Sequence, residues 1–156
     1  MSGVQINDQG SARTTTSRYS VGFTGTQAGM TDEQVYKFVE LIRQFKVVVF
    51  HHGDCIGADA QAHDLVRTHC PNAVIIVHPP INNGKRAYKT GDVQEFPKEY
   101  LARNKVIVEA SDFMIATPKE SEEQLRSGTW STVRFANRTN KKVFIILPNG
   151  AVRIEE

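Results

Sequence analysis

A chain of 156 residues can bury one substantial hydrophobic core but not two ordinary ones, so a single domain is expected. Hydrophobic residues at 40% and charged residues at 23% are globular proportions, and no apolar run nears the roughly 18 residues of a membrane-spanning helix. The formal charge of +2 excludes the dense basic footprint that drives non-specific nucleic-acid binding.

Residues 1–19 are polar and rich in Ser, Thr, Gly and Gln, which predicts a flexible arm ahead of a domain spanning 20–156. The arm lacks the apolar stretch of a signal peptide, so the expected location is the cytoplasm. Cys55 and Cys70 have no CxxC spacing and are expected as reduced thiols. A first strand is predicted at 20–25. Thr31-Asp-Glu-Gln34 then has the spacing of a capping box, and Val35, Phe38, Val39, Ile42 and Phe45 give the helix it opens one apolar face. Val47 to Phe50 is a β-branched run without alternation, as in a strand buried on both faces. His51 to Gly57 turns into a helix over about 58–69, closed by Pro71.

A third strand, 73–77, ends at Pro79-Pro80, and the long polar stretch 79–97 is a candidate lid. The helix that follows is expected to show an apolar face of Tyr100, Leu101, Ile107 and Val108. Strand 113–116 ends at Pro118, a helix opens near Ser127, and strand 143–147 ends at Pro148-Asn-Gly150. Alternation of this kind predicts an α/β fold: a Rossmann-like three-layer domain with a mainly parallel sheet of about five strands and helices on both faces. Ligands of such sheets bind beyond the carboxyl ends of the strands, so candidate residues are sought in the loops there.

The first such loop, Gly22-Phe-Thr-Gly25-Thr-Gln-Ala-Gly29, is glycine-rich but is neither GxGxxG nor a Walker motif. Gly22, Thr24, Gly25, Thr26 and Gln27 are its candidate contacts. In the second loop, Gly53, Asp54 and Asp59 are candidates, Asp59 being equally suited to cap a helix N-terminus. His51, His52 and His63 form no HxH or HExxH spacing, so no metal is expected, and Cys55 has no evident partner base. Arg103 offers a fork for phosphate or a surface carboxylate, and Asn104 is either a buried amide or a cavity residue. Ser127, Gly128, Thr129, Trp130 and Thr132 open a helix, where N–H groups, hydroxyls and the positive dipole end could converge on an anion; Trp130 either packs or stacks on a base.

Arg126-Ser-Gly-Thr-Trp-Ser-Thr-Val-Arg-Phe-Ala136 with Lys142-Val-Phe-Ile-Ile-Leu-Pro148 resembles the SGS-x-x-T-A-R segment and following strand of the DNA-processing protein A (Smf) family. Gly57-Ala-Asp59-Ala-Gln-Ala-His63 is similar to its G-x-D-x-x-A-H element, and Gly22-Phe-Thr-Gly25 stands at its G-S-R turn. Arg103-Asn104-Lys105 ahead of Ala110 to Pro118 resembles the R-K helix and strand of the Lonely Guy phosphoribohydrolases. Together these motifs resemble the SLOG superfamily that unites the two, in a minimal stand-alone form. The resemblance implies a nucleotide or nucleotide-derived small molecule as ligand, in a sensor or sequestering role, and a homodimer or higher homo-oligomer. The alternative it implies is an N-glycosidase of nucleoside monophosphates with Arg103 essential. Thr132, however, stands where the hydrolases carry a catalytic glutamate, which favours binding over catalysis. Single-stranded DNA is a less favoured partner, because the turn arginine of the DNA-processing family is replaced by neutral residues. No cofactor, metal or membrane partner is expected.

Overall fold

The computed structural model describes residues 18–156, so the arm expected at the N-terminus lies outside the described residues except for its last two positions. Seven strands form one sheet in the order β4-β3-β2-β1-β5-β6-β7. The elements run β1 (Tyr19–Gly25), α1 (Asp32–Phe45), β2 (Val47–His52), α2 (Ala58–His69), β3 (Val74–Val77), β4 (Val93–Gln94), α3 (Tyr100–Ala110), β5 (Phe113–Thr117), α4 (Gly128–Arg138), β6 (Val143–Ile146) and β7 (Val152–Glu155). All neighbouring pairs are parallel except β6 with β7.

Side chains alternate across the sheet and split the core in two. Phe113 and Ile115 of β5, with Phe144 and Ile146 of β6, join Phe38 and Ile42 of α1 and Ala62 and Val66 of α2. Met114, Ala116, Val143 and Ile145 face the other way, against Ile107 and Val108 of α3 and Trp130 and Val133 of α4. Burial on both faces explains why these strands read as unbroken apolar runs. The aromatic cluster of Phe23, Phe38 and Phe50 packs at 5.3–6.0 Å between centroids. Tyr19, assigned to the arm from sequence, is instead the first residue of β1, its ring edge-on to Phe45 and Phe113.

The capping box at Thr31 forms as its spacing requires: Thr31 Oγ1 accepts from Gln34 N and Gln34 Oε1 accepts from Thr31 N, both at 3.0 Å. Gln34 is itself buried, and its Nε2 donates at 2.8 Å to the carbonyls of Pro118 and Ile146, joining the start of α1 to the ends of β5 and β6.

Three expectations change. The sheet has seven strands, not about five, because β4 is a two-residue edge and because Pro148-Asn-Gly150 is a hairpin turn that returns the chain as β7. Helix α3 does not bury Leu101, which is 62% exposed; it buries Arg103, Ile107 and Val108. The stretch 79–97 is docked to the body: Asp54 accepts from Arg86 Nε and Lys89 N, both at 2.9 Å, and Ile56 N donates to Lys85 O at 3.0 Å. Among the described residues no helix is long and apolar enough to cross a membrane.

After β1 the chain builds β2, β3 and β4 on one side, then crosses to place β5 on the other side of β1. Helices α1 and α4, leaving these adjacent strands, pack on opposite faces, which opens a crevice at their carboxyl ends.

Candidate functional site

A cavity of about 170 Å³ fills that crevice. Its floor is Thr24 to Gln27 at the end of β1 and Gly53 after β2. Asp59 of α2 and Arg103 and Asn104 of α3 form its sides, and Ser127, Gly128 and Thr129 at the start of α4 close it. Eleven sequence candidates thus meet around one space, drawn from four separate loops and helices.

Arg103 is the dominant charge. It is 3% exposed; its Nη1 donates to Gly53 O at 2.5 Å and His78 O at 3.1 Å, its Nε to Asn104 Oδ1 at 2.7 Å, and its Nη2 reaches Cys55 Sγ at 3.8 Å. None of these partners is a carboxylate. The guanidinium is therefore held rigidly by neutral acceptors and hydrogen-bonds to no carboxylate, an arrangement that favours an incoming anion. Its approach to the β2 loop depends on Gly53, where a Cβ would lie 2.6 Å from Nη1.

Asp59, in the first turn of α2, is buried, and its Oδ2 accepts from Cys55 N at 3.1 Å. Burial pushes its pKa up to about 6, although the charge of Arg103 and the N–H groups of Cys55 and Gly53 oppose the rise. It closes the loop as a structural acid and remains a group able to exchange a proton near neutrality.

Cys55 and Tyr100 also line the cavity, and burial raises the pKa of each. The thiol is thereby kept protonated and is a weak nucleophile. Tyr100 Oη accepts from Gln27 Nε2 at 2.7 Å while Lys85 Nζ donates to Gln27 Oε1 at 3.2 Å, so the docked segment 79–97 is coupled to the β1 loop. The Tyr100 ring lies 4.9 Å below the Arg103 guanidinium carbon.

At the start of α4, Ser127 Oγ accepts from Trp130 N at 3.1 Å, capping the third N–H and leaving those of Gly128 and Thr129 beside the cavity. These N–H groups and the dipole end add to the field of Arg103. The cavity continues past Gln27, Tyr100 and Gly128 into a wider groove of about 560 Å³, which has Pro80 and Ile81 as an apolar wall and Lys85 and Arg126 as cations.

Four sequence candidates stand outside the cavity lining. Gly22 lies within β1, where a Cβ would collide with Met114 and Ser111, so it serves packing between β1 and α3. The Asp54 carboxylate is fully buried and paired with Arg86, 2.9 Å away. Trp130 is 1% exposed among the core residues under α3 and α4, with no face free to stack on a base. Thr132 Oγ1 donates back to Gly128 O at 3.0 Å. Conversely, Lys119 and Glu120 line the cavity without having been picked out. Their position directly after β5 and Pro118 was the available signal, since loops after parallel strands form the site. Helical spacing places Tyr100 on the apolar face, whereas in the structure it lines the cavity and its hydroxyl accepts from Gln27.

Four of the five histidines form two buried pairs: His51 Nδ1 with His78 Nε2, and His52 Nε2 with His63 Nδ1, both at 2.9 Å. Among the described residues no three His, Cys, Asp or Glu side chains gather as a metal site would need.

No family model matches the sequence, and no curated protein matches it. Among solved structures, the fold is similar to the molybdenum cofactor binding protein of the phototrophic bacterium Rippkaea orientalis. That match has a TM-score of 0.64 and 24% identity, and covers 83% of this chain and 77% of that one. It is also similar to the X-ray structure of TM1055, with a TM-score of 0.57 and 13% identity over 80% of this chain and 71% of that one. At these identities the likeness establishes the Rossmann-like α/β fold.

Proposed function

We propose that the protein binds a phosphorylated small molecule, a nucleotide or a nucleotide-derived compound, with its phosphate against Arg103, Thr129 and the start of α4. The organic part then occupies the outer groove between Tyr100 and Ile81. The observation that carries this reading is a buried guanidinium with no carboxylate partner, placed opposite a helix N-terminus at the crevice where such sheets take ligands. The SGT-type segment and its resemblance to the SLOG superfamily support the same assignment.

Thermal shift and calorimetry with inorganic phosphate, nucleoside monophosphates and cyclic dinucleotides test it. A ligand present at 100 times its Kd should stabilise the protein by about 2.7 kcal/mol, a rise of several degrees for a chain of this size. No rise across the panel, with Arg103→Ala indistinguishable from wild type, would sink the assignment. Chromatography of the same mixtures for free base separates binding from N-glycoside hydrolysis; intact nucleotide is expected, since the hydroxyl of Thr132 faces its own helix.

The fold shared with a molybdenum cofactor binding protein favours a second reading, in which the bound phosphate ester is that organic cofactor. Arg103 and the start of α4 would hold its anionic end, and Lys85 and Arg126 suit further negative charge. Molybdenum content and pterin fluorescence of the purified protein decide between the two.

A further inference from the structure

We propose that Glu120 selects the ligand, its carboxylate accepting hydrogen bonds from the hydroxyl groups of a ribose whose phosphate lies against Arg103. The site then prefers a sugar phosphate ester to a bare anion. This inference rests on the anion-site reading given above.

Glu120 sits in the loop between β5 and α4 and lines the same cavity as Arg103, Asn104 and Thr129. Its Oε1 is buried and has no hydrogen-bond partner among the described residues. The loop is anchored on both sides of it. Before it, Pro118 O accepts from Gln34 Nε2 at 2.8 Å; after it, Arg134 reaches Glu123 Oε2 at 2.7 Å and Leu125 O at 3.0 Å. An ionised carboxylate only accepts hydrogen bonds, so the group that completes Glu120 must carry O–H or N–H.

In a pocket built for an anion, a carboxylate is otherwise a defect. It repels bound phosphate, and its buried oxygen is left unsatisfied. Both costs are offset if the ligand presents hydroxyls a few bonds from its phosphate, as a ribose 5-phosphate does. Inorganic phosphate has O–H groups only on the phosphorus that Arg103 and the start of α4 would hold, and none a few bonds away. An acidic side chain reading ribose hydroxyls at the carboxyl edge of a parallel sheet is the same physical solution used by dinucleotide-binding sheets. Here the acid follows β5 and approaches from the α4 side of the crevice.

The test uses the full chain with three probes, inorganic phosphate, AMP and 2′,3′-dideoxy-AMP, measured by calorimetry on wild type, Glu120→Ala and Glu120→Gln. Wild type should bind AMP about tenfold or more tightly than dideoxy-AMP, because a site built around a hydroxyl leaves its own polar group unpaired when the hydroxyl is missing. Glu120→Ala should bring AMP down to the dideoxy level while phosphate binds as well or better, the repelling charge being gone. Glu120→Gln, which keeps an acceptor oxygen, should recover part of the preference for AMP. Circular dichroism and melting confirm that each variant is folded.

Equal binding of AMP and dideoxy-AMP by wild type overturns the proposal. So does an equal loss of all three probes in Glu120→Ala, which would mark a purely structural residue. If phosphate binds wild type without any such selection, Glu120 alone has been misread. If neither phosphate nor nucleotide binds, the anion site falls and this inference with it.

Discussion

Arg103 and Asp59 divide the chemistry of the cavity between a fixed charge and a titratable one. The fork geometry of Arg103 is set by Gly53 O, His78 O and Asn104 Oδ1. Arg103→Lys keeps the charge but loses the fork, and should weaken binding of phosphate or AMP about 10- to 100-fold by calorimetry. Arg103→Ala should abolish the ligand-induced rise in melting temperature altogether. Asp59 makes a distinct prediction. With its pKa near 6 it is mostly ionised at pH 7.5 and mostly protonated at pH 5. A bound anion is repelled by the ionised form, so binding should tighten as the pH falls through 6, with uptake of a proton. Sulfate is the right probe because its own charge is constant over this range. Its Kd should fall several-fold from pH 7.5 to 5.5 in wild type, and that change should be largely lost in Asp59→Asn. A flat wild-type profile would show that Asp59 does not feel the ligand.

At the level of elements, the site depends on how closely loops approach one another. Gly53 follows β2 against the Arg103 guanidinium, and a Cβ there would lie within 2.7 Å of both Nη1 and Cζ. Gly53→Ala should therefore displace the arginine, cost about 1–3 kcal/mol of stability and remove phosphate binding while leaving a folded protein by circular dichroism. Binding at wild-type strength would show that the arginine is not held through this loop. Ser127→Ala should cost α4 about 1 kcal/mol through the lost cap, a drop of a few degrees in melting temperature. These features were unequally legible in the sequence. The start of α1 was readable because a capping box is local, Thr31 and Gln34 being three residues apart. The fork of Arg103 marks it as a candidate in the sequence, but its burial is not legible there, because helical periodicity sorts residues by hydropathy and places an arginine in solvent. Its carbonyl partners are 50 and 25 residues away in the chain. The two short outer strands escaped for a related reason: β4 is a pair of exposed residues, and β7 is identified by its partner β6 more than by its own pattern. Trp130 and Thr132 were drawn toward the site by adjacency to Ser127 to Thr129. Yet a helix turns 100° per residue, and by Trp130 the side chain already faces the core.

Across the whole molecule, the sheet is threaded by imidazoles that must stay neutral. In each close pair one ring nitrogen donates and the other accepts, so a proton on both rings would break the bond. Burial lowers the pKa of His51, His52, His63 and His78, that of His78 from 6.5 to about 4, with neighbouring positive charge adding to the effect. A group whose folded pKa lies below its unfolded value binds more protons when unfolded, so its stabilisation is complete above about pH 6.5 and is lost as the pH falls toward the folded value. Asp59 acts in the opposite sense: its pKa is raised from 3.8 to about 6, so acidification through that window favours the native state. At about 1.4 kcal/mol per pH unit between folded and unfolded values, His78 loses and Asp59 returns similar amounts, each about 3 kcal/mol. The sign is then decided by His51, His52 and His63, all of which shift in the destabilising direction. The melting temperature should consequently fall between pH 7 and pH 4.5, and Asp59→Asn should steepen the fall by removing a group that opposes it. His52→Asn should flatten it, since His52 is the most deeply buried of the four and the one whose charge would face His63, His78 and Arg103 together. A melting temperature that holds or rises down to pH 4.5 would mean that the paired histidines accept protons without opening the sheet.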